Sequence, residues 1–350
     1  MKSKKWILFS LFLMLFLLPV KAEAATVAKI GTKKYSSIRK AVSSAKSGQT
    51  IKITKNAKWT IRRLETQEII RKKITMDLCG HTITLHSPDN ITGNMNLTRS
   101  SLTIKNGTLT DGGKGTFTFQ VKEKSKLILN NLKINITDSY FNAADKGSSI
   151  TVKKVKMTHK AGPNAAFYLR TGATGVFSGG TFITYGNLIS NYGGNVTIKG
   201  GSYSYPKSSA STSMISNGRT TDMNGKTWNG KMTVSGGTFR SDEYIIISNN
   251  IGADLKISGK ALLEGTYPLM SQGTFTMTGG KIHAKTNTVT YYGRPAVDSS
   301  SAPKGCTVTL SGGTLISDGN AAVIISSSTK YKNTGAVLKP AAGYAGMIRN

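Results

Sequence analysis

One repeated pattern constrains this chain more than any other feature. A segment of the form apolar-x-apolar-x-Gly-Gly-x-apolar recurs along its second half. It reads Val176-Phe177-Ser178-Gly179-Gly180-Thr181-Phe182, and returns at Val196 to Tyr203, Met232 to Phe239, Phe275 to Ile282 and Val308 to Leu315. A degenerate copy sits at Leu255-Lys256-Ile257-Ser258-Gly259, and earlier copies (Leu102-Thr103-Ile104, Leu127-Ile128-Leu129, Ile150-Thr151-Val152) keep the alternation without the glycines. A second motif lies between them: Leu188-Ile189-Ser190-Asn191, Met214-Ile215-Ser216-Asn217, Ile246-Ile247-Ser248-Asn249, Leu269-Met270-Ser271-Gln272 and Ile324-Ile325-Ser326. The first glycine, or its equivalent, comes back mostly every 20–27 residues, with two longer intervals. Such a period is the mark of a repeat architecture.

Alternation over four to six residues puts one side chain in and the next out. Three such strands per repeat cannot close a core alone, but stacked repeats can, each strand bonding to its counterpart about 4.8 Å along the axis. The expectation is an all-β fold, a single-stranded parallel β-helix with three-strand coils. A β-sandwich also has short strands, but it does not predict two motifs in fixed order at one period. In the stack, Asn191, Asn217 and Asn249, with Gln272, are expected to form a polar ladder. The paired glycines suit a tight or left-handed corner that a Cβ resists. Cys79 and Cys306 fall nine intervals apart, roughly 43 Å at one rung each, too far for a disulfide. Both are expected as unpaired thiols, with Cys79 inside.

The ends follow from the same reasoning. Met1-Lys2-Ser3-Lys4-Lys5, the apolar run Trp6 to Leu18, Pro19 and Ala22-Glu23-Ala24 have the order of a secretory signal peptide. The run is short for a span of about 20 apolar residues, so no membrane span is expected in the mature protein. Solenoids need capped ends; Ser36 or Ser37 can N-cap a helix whose Ile38, Ala41, Val42 and Ala45 share one face and which Gly48 ends. The resulting segmentation is 1–24 signal peptide, 25–73 N-terminal cap (helix about 36–47) and first strands, 74–330 β-helix, and 331–350 C-terminal cap or tail. Oligomeric state is not legible.

Charge speaks about partners. The chain carries a formal +31, and removal of Lys2, Lys4, Lys5, Lys21 and Glu23 with residues 1–24 leaves +28. Such a field attracts polyanions and fades with salt. Between Lys29 and Lys73 fourteen Lys and Arg face only Glu65 and Glu68. A second cluster holds Lys122, Lys124, Lys126, Lys133, Lys153, Lys154 and Lys156. Outward lysines on successive coils would form a row at about 4.8 Å, suited to a repeating anion. The candidate binding residues are therefore Lys122, Lys124, Lys126, Lys153, Lys154 and Lys156. To them are added aromatic and arginine anchors in the two long intervals: Tyr205, Arg219 and Trp228, then Tyr291, Tyr292 and Arg294. An acidic polysaccharide or cell-wall polymer is the expected partner; nucleic acid fits by charge alone, without a recognition motif.

The segment Gly31 to Thr54, followed by Ile74-Thr75-Met76-Asp77-Leu78-Cys79-Gly80-His81-Thr82-Ile83, resembles the opening of pectate-lyase-like parallel β-helix proteins, and in particular their adhesive, non-catalytic bacterial surface branch. The family's Asp-Leu-Asn-Gly element stands here as Asp77-Leu78-Cys79-Gly80. The resemblance spans about residues 28–330 and implies a right-handed β-helix, export and a secreted or cell-surface binding role. The alternative is a polysaccharide lyase or hydrolase of the same fold. Hydrolysis needs two carboxylates about 5–10 Å apart, and lyases often hold Ca²⁺ with several. The 16 Asp and Glu are scattered; Glu65 with Glu68 reads as local charge balance, and adjacent Asp242 and Glu243 would point to opposite faces of a strand. Asp77 reads as a turn cap, and His81, His86, His159 and His283 are dispersed. No catalytic residue, metal ligand or cofactor is expected.

Overall fold

The computed structural model describes residues 25–350 apart from 63–64, 89–91, 161, 207–212 and 287–292. The expected leader at 1–24, and Tyr291 and Tyr292, lie outside the described residues.

The sequence alternation becomes pleat. In Lys126–Ile136, Leu127, Leu129, Leu132, Ile134 and Ile136 are buried, and most residues between them face out. Asn131, at φ 53°, bends this strand from one sheet into the next. Repetition gives a parallel β-solenoid of about 11 turns with three faces. The first runs from Thr50–Ile53 and Lys73–Asp77 to Lys330–Asn333. The second runs from Ala57–Thr60 and Thr82–Ser87 to Val337–Lys339. The third runs from Thr66–Ile70 and Gly93–Thr98 to Met347–Arg349. Among the described residues antiparallel pairing joins Ala28–Ile30 to Lys33–Tyr35 and Thr50–Ile53, forms a hairpin of Ser213–Thr221 with Thr227–Asn229, and makes one isolated bridge between Arg170 and Gly193. The one helix among the described residues, Ile38–Ser44, is shorter than 36–47. Ser37 Oγ accepts from the Lys40 N–H at its start, and Ile38, Ala41 and Val42 are buried.

Inward residues form columns. On the first face Ile104, Leu129, Val152, Phe177 and Ile198 succeed one another in register, all fully buried. On the third face the rings of Phe119, Phe141 and Phe167 stack at 5.2 and 5.3 Å; on the second, Phe182, Tyr203 and Phe239 stack at 4.7 and 4.4 Å. Each such burial contributes roughly 1.5–3 kcal/mol, and each ring pair about 0.5–1.5 kcal/mol more. Apolar columns therefore hold the stack without a cross-link, and both cysteines are free thiols.

The asparagine ladder is present, with one change. Asn191 Nδ2 donates to Asn217 Oδ1 at 2.7 Å and Asn217 Nδ2 to Asn249 Oδ1 at 2.8 Å, all three residues being fully buried. The next place belongs to Ser271, whose Oγ accepts from Asn249 at 3.1 Å. Gln272 instead points outward to Ser301. Ile247 pairs with Leu269, so the fourth copy of the motif is offset by one residue relative to its spelling. A slip of one residue in a strand exchanges its faces.

Cys79 is also corrected: it is exposed, not inside. It occupies the corner between the first and second faces at φ 49°, where the following coils place Asn106 (φ 59°), Asn131 (φ 53°) and Lys154 (φ 50°) before glycines take over. The left-handed region turns its side chain outward. Its N–H donates to Asp77 Oδ1 at 3.0 Å, so Asp77 does cap the turn. Burial raises the Asp77 pKa, but the Cys79 N–H, Asn106 and Lys105 outweigh it and hold the carboxyl below the usual range. Asparagine tolerates this backbone better than cysteine. Cys79→Asn is expected to stabilise the protein by about 1 kcal/mol, read as a higher urea midpoint; a lower midpoint would refute the corner argument.

Candidate anion-binding corner

Where the chain turns from the third face to the first, three successive coils bury a serine. Ser100, Ser125 and Ser148 lie inside; Ser100 N–H donates to Ser125 Oγ at 3.0 Å and Lys72 N–H to Ser100 Oγ at 3.1 Å. The residues ahead of the first two serines take left-handed backbone: Arg99 at φ 50° and, one coil on, Glu123 at 53° and Lys124 at 63°. Arg71, one coil earlier, sits at 50°. Pinned serines inside and left-handed residues outside drive cationic side chains into solvent at one edge. Arg71, Lys72, Lys73, Arg99, Lys124 and Lys126, with Ser47, Ser100 and Ser101, line an open cleft of about 540 Å³. Lys122 flanks it, in register with Thr98.

This edge gathers three of the expected residues, Lys122, Lys124 and Lys126, and adds four that sequence reasoning did not single out: Arg71, Lys72, Lys73 and Arg99. A signal was present, since a cation precedes a buried serine in both Arg99-Ser100 and Lys124-Ser125. Two acids stand at this edge. Asp145, whose Oδ2 accepts from the Glu123 N–H at 2.8 Å, lines the adjoining cleft with Arg99 and Lys124. Glu123 Oε2 lies 3.0 Å from Arg99 Nε with both side chains about half exposed. An exposed pair of this kind contributes little to stability.

The other three lysines lie around the first-to-second corner. Lys154 and Lys156, with Lys133, line a separate cleft of about 430 Å³, and Lys153 faces outward on the first face. The continuous lysine row is not found. Lys133 and Lys156 are direct neighbours, but Lys73, Ser101, Lys126 and Ser149 alternate along one column, and Asn130 separates Lys105 from Lys153. Like charges directly opposite destabilise paired strands, and small polar residues space them.

The aromatic anchors divide. Tyr205 cannot contact a ligand at the surface: it is 1% exposed and stacked on Tyr244 at 4.9 Å. Its place two residues after the inward Tyr203 turns it into the core. Arg219 is exposed on the antiparallel hairpin. Trp228, on the opposite hairpin strand, lies against Gly172 and Gly193; a Cβ on either glycine would come within 2.7 Å of it. Its indole N–H donates to Asp222 Oδ2 at 2.9 Å, and Lys226 Nζ stands 4.3 Å from the ring centroid. Arg294 is exposed, its guanidinium 4.9 Å from the Tyr267 ring centroid.

For acid–base chemistry the nearest arrangement is Asp111 with Asp138. Burial, and secondarily Asp111, raise the Asp138 pKa. Asp111 Oδ2 accepts from the backbone N–H groups of Thr137, Asp138 and Ser139 and its Oδ1 is buried, the geometry of a turn anchor. Among the described residues no group of three or more His, Cys, Asp or Glu could hold a metal ion, and no helix is long and apolar enough to cross a membrane.

No protein family, curated protein or solved structure matches the chain.

Proposed function

We propose that this protein is an exported, cell-surface-associated adhesive module that holds an anionic polymer or acidic glycan along its third-to-first corner. The reading rests on one observation: Arg71, Lys72, Lys73, Arg99, Lys122, Lys124 and Lys126 converge on successive coils around an open cleft, and outnumber the acids beside them, Glu123 and Asp145. Export rests on the pattern of residues 1–24, and the adhesive role on the resemblance of the opening segment to that branch of the β-helix proteins. The runner-up, a lyase or hydrolase, would draw on Asp111 and Asp138, and the Asp111 carboxylate is taken up by the backbone N–H groups of Thr137, Asp138 and Ser139.

Binding to an acidic glycan, followed by calorimetry across a salt series, tests the proposal. Affinity should fall steeply as salt rises. Arg99→Gln and Lys124→Gln should each weaken it roughly threefold to tenfold. Glu123→Gln, which releases Arg99 and deletes the opposing charge, should tighten it by about threefold. Salt-independent binding, or equal affinity in all three variants, defeats the reading; release of reducing or unsaturated ends from the glycan replaces it with the enzymatic one.

A further inference from the structure

The column of Lys122 continues past the cationic cleft. Val121 pairs with Ala143 and Ala143 with Leu169, so the residues that follow them, Lys122, Ala144 and Arg170, share one outward column; Arg170 then pairs with Tyr192. At one coil each, Arg170 stands about 10 Å beyond Lys122 along the axis. Its guanidinium lies 5.1 Å from the ring centroid of Tyr168 and 5.7 Å from that of Tyr192, two rings inclined by only 19°. Arg170 and Tyr192 are exposed, and the position paired with Tyr192 on the next coil is Gly218, beside Asn250. Among the described residues no carboxylate forms an ion pair with Arg170.

In the neighbouring column Gln120, Asn142 and Tyr168 follow in register. Asn142 is buried and its Nδ2 donates to Gln120 Oε1 at 2.6 Å, while Gln120 Nε2 donates to Thr118 Oγ1 at 3.3 Å, so these amides serve one another beneath Tyr168. Past Tyr192 the surface is bounded by Trp228 lying over Gly172 and Gly193. Parallel rings bracketing a guanidinium suit a ligand that has flat C–H faces and acidic groups together. A bare phosphate polymer offers nothing to the rings. Nucleobases also stack on tyrosine, but the Arg170 guanidinium stands by both rings and leaves single ring faces, suited to the C–H face of a sugar, rather than a slot for a flat base.

We infer that Tyr168, Arg170 and Tyr192 form a saccharide subsite that stacks a pyranose ring of the polymer whose acidic groups occupy the corner from Arg71 to Lys126. This inference rests on the proposed function and narrows its ligand to a carbohydrate. The full chain is titrated with hyaluronate oligosaccharides, with inorganic polyphosphate of matched charge and with a single-stranded oligonucleotide, using Tyr192→Ala, Arg170→Gln and Arg99→Gln. Near-ultraviolet circular dichroism verifies that each variant keeps its packing. Tyr192→Ala should weaken hyaluronate binding roughly tenfold and leave polyphosphate binding unchanged, whereas Arg99→Gln should weaken both. Equal effects of Tyr192→Ala on both polyanions, or none on hyaluronate, overturn the subsite while leaving the corner intact. A larger loss for the oligonucleotide than for hyaluronate replaces it with a nucleobase site. Wild-type protein that binds none of the three overturns the corner and the subsite together.

Discussion

Asn217→Ala is expected to cost about 3–5 kcal/mol of stability, more than any surface change in the molecule. The side chain is fully buried and sits in the middle of the ladder. It accepts from Asn191, donates to Asn249 at 2.8 Å, and donates to the backbone oxygen of Asp254 at 3.0 Å. Truncation leaves Asn249 Oδ1 and the Asp254 carbonyl without that donor in the buried interior. An unsatisfied buried group costs about 1–3 kcal/mol, and a cavity adds to it. The comparison that isolates the ladder is Ser271→Ala, at its end, expected near 1 kcal/mol, beside Gln272→Ala, expected near zero because Gln272 faces out. Urea midpoints of the three variants give the order directly. If Asn217→Ala costs no more than Ser271→Ala, the ladder is ornament rather than support.

That ordering also shows which parts of the fold were legible. Period and alternation are properties of spacing, and spacing survives substitution, so the stacked architecture and the aligned Asn191, Asn217 and Asn249 could be read directly. Gln272 could not, because the match of Leu269-Met270-Ser271-Gln272 to the motif hides a one-residue offset that only the pairing of Ile247 with Leu269 reveals. Tyr205 has the residue type of a surface anchor, but the alternation after Tyr203 places it inside. The expectation that Cys79 lies inside fails because the left-handed φ at that corner, which spacing does not reveal, decides where its side chain goes. The cationic corner was half legible. Charge clusters along the sequence showed excess, but Arg71, Arg99 and Lys124 come together only because each is about one coil from the next, and such neighbours are remote in sequence. The same holds for Tyr168, Arg170 and Tyr192, which lie in no long loop.

Acid should destabilise this protein through His159. The residue is fully buried on the second face, in register between Ile136 and Thr184, with Nδ1 3.0 Å from Thr184 Oγ1 and Nε2 without a hydrogen-bond partner among the described residues. Burial pushes its pKa down to about 4; the backbone at Thr137 and Asn164 and the carboxylate of Asp111 act the other way and are weaker. In the unfolded chain the same ring titrates near 6.5. Above that pH the ring is neutral in both states and costs nothing. As pH falls toward 4 the unfolded chain takes up a proton that the folded one refuses, so stability drains away across this window by about 3 kcal/mol. Asp138, whose pKa is raised, works in the opposite sense at acid pH, because its protonated form suits the folded state. His159→Ile copies the residue one coil earlier in the same column and removes the titrating group. The variant should lose the fall in urea midpoint between pH 6.5 and 4 that the wild type shows, while Thr184 keeps its contacts with Gly186. Parallel pH profiles for the two proteins would place the acid sensitivity elsewhere, and the solenoid would then tolerate a charge in its core that its burial says it cannot.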